Sequence, residues 1–155
     1  MRGAEEVARN IAGMAEALSG PPMEQNMLQA ATLVSGDARR DAPVDEGLLR
    51  ASLLPEVRHD GNVVEGAAGS RVVYAPFMEL GTGSPAGNPP VNFPPPSALE
   101  TWARRHGAAS GYVVARAIWR RGGLEPRKFL QNALVKNTER IIAMIGQFVS
   151  RLIRR

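Results

Sequence analysis

Between residues 81 and 96 the chain reads GTGSPAGNPPVNFPPP, with prolines at 85, 89, 90, 94, 95 and 96. Proline lacks an amide hydrogen and holds φ near −65°, so a segment this dense in it is neither a helix interior nor a central strand. It is a long loop, polyproline-like in part, and every regular element must lie before or after it. Loops of this length inside a compact domain are usually functional or disordered.

Ahead of the loop, Val7, Ile11, Met14 and Leu18 recur at helical spacing and predict a helix over 4–18, ended by Ser19-Gly20-Pro21-Pro22. Pro22 suits the first turn of a second helix, in which Met23, Met27, Ala31 (or Ala30), Val34 and Ala38 share a face as far as Asp41. The methionines read as core, since a flexible thioether fills irregular gaps. After APVDEG the period changes to two: Leu49, Ala51, Leu53 and Val57 alternate with Arg50, Ser52, Glu56 and Arg58, predicting a half-buried strand. Pro55 places that strand at an edge or a bulge. Asp60-Gly61 predicts a type I′ hairpin turn, 63–69 the returning strand, and Arg71-Val72-Val73-Tyr74 a third strand. Such a meander needs helices against one face.

Beyond the loop, Ser97 and Glu100 have the spacing of a capping box that opens a short helix carrying Leu99, Trp102, Ala103 and His106, with Gly107 at its end. A second short helix over 111–121 stops at Gly122-Gly123. The segment 127–155 is the longest regular element. Leu130, Leu134, Ile141, Ile145, Phe148 and Leu152 form one stripe, and Val135, Ile142, Val149 and Ile153 widen it beyond a single packing seam. Such a helix must touch two layers of its own fold or another subunit. The expected class is α+β: a small antiparallel meander packed by N-terminal helices and a long C-terminal helix. It forms a single domain over 1–155, with the loop and two short helices inserted at 83–125.

Chemistry finds no constellation in this sequence. Gly81-Thr82-Gly83 is followed by neither the lysine nor the helix start of a phosphate loop. Glu79 would need a facing carboxylate for glycosidase-like work, and nothing in the spacing brings Asp45 or Glu46 to it. His59 and His106 are isolated from any metal-ligand pattern, and no G-x-S-x-G nucleophile motif exists. Without cysteine, disulfides and thiolate sites are excluded. The expectation is a protein that is not an enzyme and takes no catalytic residue, metal or cofactor.

Composition, 44% hydrophobic and 22% charged, suits a globular chain. No run approaches the roughly 18 apolar residues of a membrane span. The N-terminal stretch is too acidic and broken for a signal peptide, so a cytoplasmic site of synthesis is expected. Charge is uneven: 1–100 hold 7 basic and 13 acidic residues, 101–155 hold 12 basic and 2 acidic. That asymmetry fits a polyanion along the basic part, or a neighbouring copy whose acidic part meets it.

Three stretches, APVDEGLLRASL (42–53), YAPFMELGTG (74–83) and PRKFLQNAL (126–134), resemble in that order the tail-component family of long-tailed bacteriophages, the tail-completion, tail-terminator or head–tail joining proteins. Glu46 stands where that family usually has Thr, and Lys128 and Asn132 where proline is common. The resemblance implies a virion structural protein, assembled in the bacterial host cytoplasm, that forms a ring, commonly hexameric, at the head-proximal end of the tail. Its partners would be copies of itself, the tail tube protein and neck or head–tail connector proteins, with genome DNA passing through and no membrane. The motif residues so implicated are Pro43, Asp45, Gly47, Leu49, Arg50, Ser52, Tyr74, Ala75, Glu79, Gly81, Thr82, Phe129, Leu130, Ala133 and Leu134, with Glu79 accepting hydrogen bonds or pairing with an arginine at a corner. The alternative is a basic DNA-binding module using Arg104, Arg105, Arg116, Arg120, Arg121, Arg127 and Lys128, with Tyr112 or Trp119 stacking. No helix-turn-helix, zinc-finger or RNA-recognition signature accompanies those charges.

Overall fold

The computed structural model describes residues 2–44, 47–89 and 91–154, with side chains from residue 5 onward. The chain is α+β, with helices N-terminal to a small hairpin and a long helix at the C-terminus, and it divides into two compact units. One comprises 1–72 with 129–155 and the other comprises 73–128. The second is wider at both ends than the 83–125 insertion read from sequence.

In the first unit, α1 (Arg2–Ser19) and α2 (Pro21–Asp41) are separated only by Gly20, and prolines occupy the first turn of α2. Helix α2 is the hub, packed against α1, the hairpin and the C-terminal helix α7 (Phe129–Ile153). Its buried positions are small, Ala30, Ala31, Val34, Ser35, Asp37 and Ala38, which lets neighbouring backbones approach closely. Met23 and Met27 are half-buried at its edge.

The stretch 48–52 departs from the alternating strand expected there. It forms a one-turn helix, α3 (Leu48–Ser52), and the strand β1 (Leu53–Asp60) begins only afterwards. Gly47 enters it at φ 78°, and Ala51 N–H donates to Gly47 O at 2.9 Å. Leu49 and Leu53, four apart, are 3% and 0% exposed, a spacing that satisfies helical and alternating periods alike over so few residues.

Strand β1 pairs antiparallel with β2 (Val63–Ser70), from Leu53 opposite Ser70 to Asp60 opposite Val63. The two-residue turn is therefore Gly61-Asn62, one residue later than expected. Only Gly61 has positive φ, 57°, whereas a type I′ turn needs it at both positions. Glu56 and Arg58 point outward and pair at 2.9 Å, while Leu53, Pro55 and Val57 face inward. The hairpin lies against α2 at Gly66, where a Cβ would fall 2.6 Å from the Met27 carbonyl oxygen.

Residues 71–74 form no strand, and among the described residues none joins β1 and β2, so the expected meander is a two-stranded hairpin. Ser70 Oγ accepts from Val72 N–H at 3.1 Å and turns the chain. Pro76, in the first turn of α4 (Ala75–Leu80), then favours helix where hydrophobicity alone suggested extension.

In the second unit, β3 (Thr82–Gly83) pairs antiparallel with β4 (Gly123–Leu124), flanking a 3-10 turn at Ser84–Ala86. Helices α5 (Pro96–Arg105) and α6 (Gly111–Arg120) pack on each other. The expected Ser97–Glu100 capping box is absent: Pro95 is the N-cap, and Glu100 Oε2 accepts from Gly111 N–H at 2.7 Å instead. The carboxylate thus sits at the N-terminus of the next helix, where the macrodipole favours it. Gly107 at φ 69° and the Ala108 N–H to Ala103 O bond of 2.9 Å close α5 in a Schellman turn.

Candidate interaction surfaces

The three stretches that carry the family resemblance turn out to be mechanical junctions. In the first, Leu49 is buried and Ser52 Oγ donates to Leu49 O at 2.8 Å. Arg50 reaches back to the end of α2, donating to Ala42 O at 3.3 Å and Arg40 O at 3.1 Å. A guanidinium there satisfies carbonyls that the helix end leaves open. Arg39 donates to Leu53 O at 2.7 Å, joining α2 to the first residue of β1. Pro43 is half-buried in the connection, and Asp45 lies outside the described residues, as does Glu46. Arg39, Arg40, Gly47, Arg50 and Ala51 line a shallow hollow. Its guanidinia are already engaged, Arg40 with Asp37 at 2.7 Å.

The second and third stretches meet one another. Arg127 N–H donates to Met78 O at 2.9 Å and Lys128 N–H to Glu79 O at 3.0 Å, so the last turn of α4 is closed by the segment that leads into α7. Leu124 N–H donates to Thr82 Oγ1 at 3.0 Å beside the β3–β4 pair. Gly81, at φ 70°, leaves no space for a Cβ, which would stand 2.6 Å from Leu124 O and 2.7 Å from Pro126 N. Lys128 at φ 53° is the one non-glycine with positive φ among the described residues. Ala75 is buried, Tyr74 is 44% exposed and Glu79 is half-buried. YAPFMELGTG therefore builds a backbone clamp, and Glu79 contributes its carbonyl to that clamp.

Helix α7 buries Phe129, Ala133, Asn137 and Phe148 and leaves Leu130 half-buried. Asn137 was not picked out from sequence. Its Nδ2 donates to Asp37 Oδ2 at 2.8 Å and to Ala133 O at 2.9 Å. Asp37 is also paired with Arg40 and lies 3.6 Å from Lys136. The Asn137 hydrogen bond, followed by the Lys136 and Arg40 charges, outweighs partial burial and holds the Asp37 carboxyl below its ordinary range. The clue in the sequence was an asparagine four residues after Ala133 and eight after Phe129.

Large apolar side chains remain uncovered on both outer helices of this unit. On α7, Leu134, Val135, Ile142 and Ile153 are 53%, 68%, 65% and 66% exposed, and on α1 Val7 and Ile11 are 57% and 61%. The fully buried side chains are few, the largest being Phe129, Leu53 and Ser35.

The basic residues of the second unit fall into separate groups. Arg104 and Arg105 occupy the last turn of α5, Arg121 caps α6, and Arg127 and Lys128 lie at the backbone clamp. Arg116 and Arg120 lie on α6 itself, sharing a face with Tyr112 and Trp119 at intervals of three and four. Phe93 of the proline-rich loop meets both rings, its centroid 5.6 Å from Tyr112 and 6.2 Å from Trp119. Sequence reading missed Phe93, for which only its place among prolines gave a signal.

The histidines have local roles. His59 Nε2 lies 3.1 Å from Glu24 Oε1, and His106 stacks on Trp102 with centroids 4.0 Å apart. Among the described residues no group of three His, Asp or Glu is placed to hold a metal ion, and no helix is long and apolar enough to cross a membrane. No protein-family model, no curated protein and no solved structure matches this chain.

Proposed function

We propose that this protein is a structural component of a long-tailed bacteriophage virion that assembles with copies of itself into a ring, commonly hexameric, at the head-proximal end of the tail. There it ends the tail tube and joins it to the neck. The observation that carries assembly is the uncovered apolar surface of α1 and α7, set against a core in which alanines predominate. Large apolar side chains left exposed along helices in this number suit an interaction surface. The tail assignment rests on the three resembling stretches, whose residues form the junctions that hold α2 to α3 and α4 to the backbone of Arg127 and Lys128. A rigid clamp at each junction suits a subunit that must present fixed faces to two neighbours in a heterologous ring.

The test is light scattering on the purified protein over a wide concentration range, alone and with tail tube, together with electron microscopy of the particles. The expected result is a closed ring whose mass is a multiple of 16.7 kDa, formed alone or on the tube. A monomer under every condition, with no density on tails, overturns the reading.

A further inference from the structure

We propose that the exposed face of α6, together with Phe93, is a binding strip for single-stranded nucleic acid. This goes beyond assembly and depends on a different part of the chain. Along α6 the strip runs Tyr112, Arg116, Trp119, Arg120, so aromatic and guanidinium groups are interleaved down one helix face. Tyr112 and Trp119 are 55% and 52% exposed and Phe93 is 40% exposed. The Phe93 ring is tilted 41° from Tyr112 and 59° from Trp119, so the three rings do not close on each other as a stack. Neither the Arg116 nor the Arg120 guanidinium has a hydrogen bond or ion pair among the described residues. They lie four residues apart, about 6 Å along the helix axis, a separation comparable with that of neighbouring phosphates in an extended strand.

Charge supports the same ligand. Helix α6 contains no acidic residue. The unit over 73–128 carries seven basic residues against Glu79, Glu100 and Glu125, and the Glu100 carboxylate is bonded to the backbone at Gly111. A linear polyanion with flat bases matches both parts of the strip, the guanidinia taking phosphates and the rings taking base faces. A duplex keeps its base faces stacked inside and would leave the rings idle. Protein interfaces place aromatic anchors in an apolar centre within a polar rim, whereas here the charges alternate with the rings turn by turn.

The experiment is fluorescence anisotropy of a labelled oligothymidylate titrated with the full chain, with duplex DNA of equal length and polyglutamate as competitors. Binding is expected at low salt and should weaken steeply as salt rises. The Tyr112→Ala/Trp119→Ala pair should lose at least about tenfold in affinity, whereas Tyr112→Phe/Trp119→Phe should stay near the parent. Arg116→Ser/Arg120→Ser should reduce the magnitude of the log–log salt slope by about 1.4. All of these side chains are exposed, and circular dichroism with thermal melting checks that each variant folds. If the alanine pair fails to fold, the phenylalanine and serine pairs still decide the matter. No binding at low salt, or unchanged affinity in the folded alanine pair, overturns the proposal. So do a serine pair with the parent slope and duplex that competes as well as single strand. Polyglutamate competing equally would assign the strip to an acidic protein and overturn it too.

Discussion

Asp37 and Asn137 stand 100 residues apart in sequence and 2.8 Å apart in space, and they make the polar joint between α2 and α7. Truncating Asn137→Ala removes both of its hydrogen bonds in a buried setting and should cost about 1–3 kcal/mol, measurable by urea denaturation. Because the folded-state pKa of Asp37 lies below its ordinary value of 3.8, the native state binds fewer protons than the unfolded chain as pH passes through that range. Its contribution is present above about pH 4 and is lost as pH falls through the lower folded value. Thermal melts should accordingly show a shallower acid loss of stability in Asp37→Asn than in the parent, and an equal acid slope in both would contradict this role. An asparagine in an otherwise apolar stripe is legible as a buried polar position. Its partner is not legible, since nothing local connects position 137 to position 37. Glu79 is the converse case: its placement at a corner followed by glycines is readable, whereas the acceptance of Lys128 N–H by its carbonyl belongs to the backbone and carries no side-chain signal.

Helices with long, strongly periodic patterns were readable at the level of elements, and α1, α2, α5, α6 and α7 lie where their apolar spacing put them. Short segments were not, because four or five residues satisfy two periods at once. Residues 49–52 wind into α3 once Gly47 starts a turn, and 71–74 give way to a helix begun by Pro76. The hairpin was readable from its turn glycine, but its seat on α2 was not. Gly66→Ala should destabilise by about 1–3 kcal/mol through overpacking against the helix backbone, whereas Gly69→Ala, with nothing within 4 Å of its Cβ, should not; chemical denaturation of the two compares them directly. The broad apolar pattern of α7 resolves into a buried edge, Phe129, Ala133 and Phe148, and an exposed one, Val135, Ile142 and Ile153. Ile142→Glu should leave folding stability within about 0.5 kcal/mol and abolish the proposed ring in a scattering measurement. Large unfolding of that variant would instead mean that Ile142 supports the fold itself.

Charge reads differently on the whole molecule than along the chain. The sequence is acidic early and basic late, yet the +4 segment 129–155, with five basic residues and Glu139, belongs to the same unit as 1–72, with seven basic and eleven acidic residues. Those charges cancel, and the excess remains in 73–128. Assembly through α1 and α7 should therefore be apolar and persist from low to molar salt, whereas oligonucleotide binding at α6 should fade over the same range. Ring mass and anisotropy followed in one salt series test both, and a ring that dissociates with salt would return the interface to electrostatics. By itself the sequence determined the α+β class, the long helices, the hairpin and the proline-rich break, because each follows from local periodicity or from the covalent limits of proline and glycine. Only the tertiary structure decided which edge of α7 is buried, where the charges of the C-terminal segment are neutralised, and that Phe93 meets Tyr112 and Trp119. Those outcomes depend on contacts between residues far apart in the chain, which no local pattern encodes.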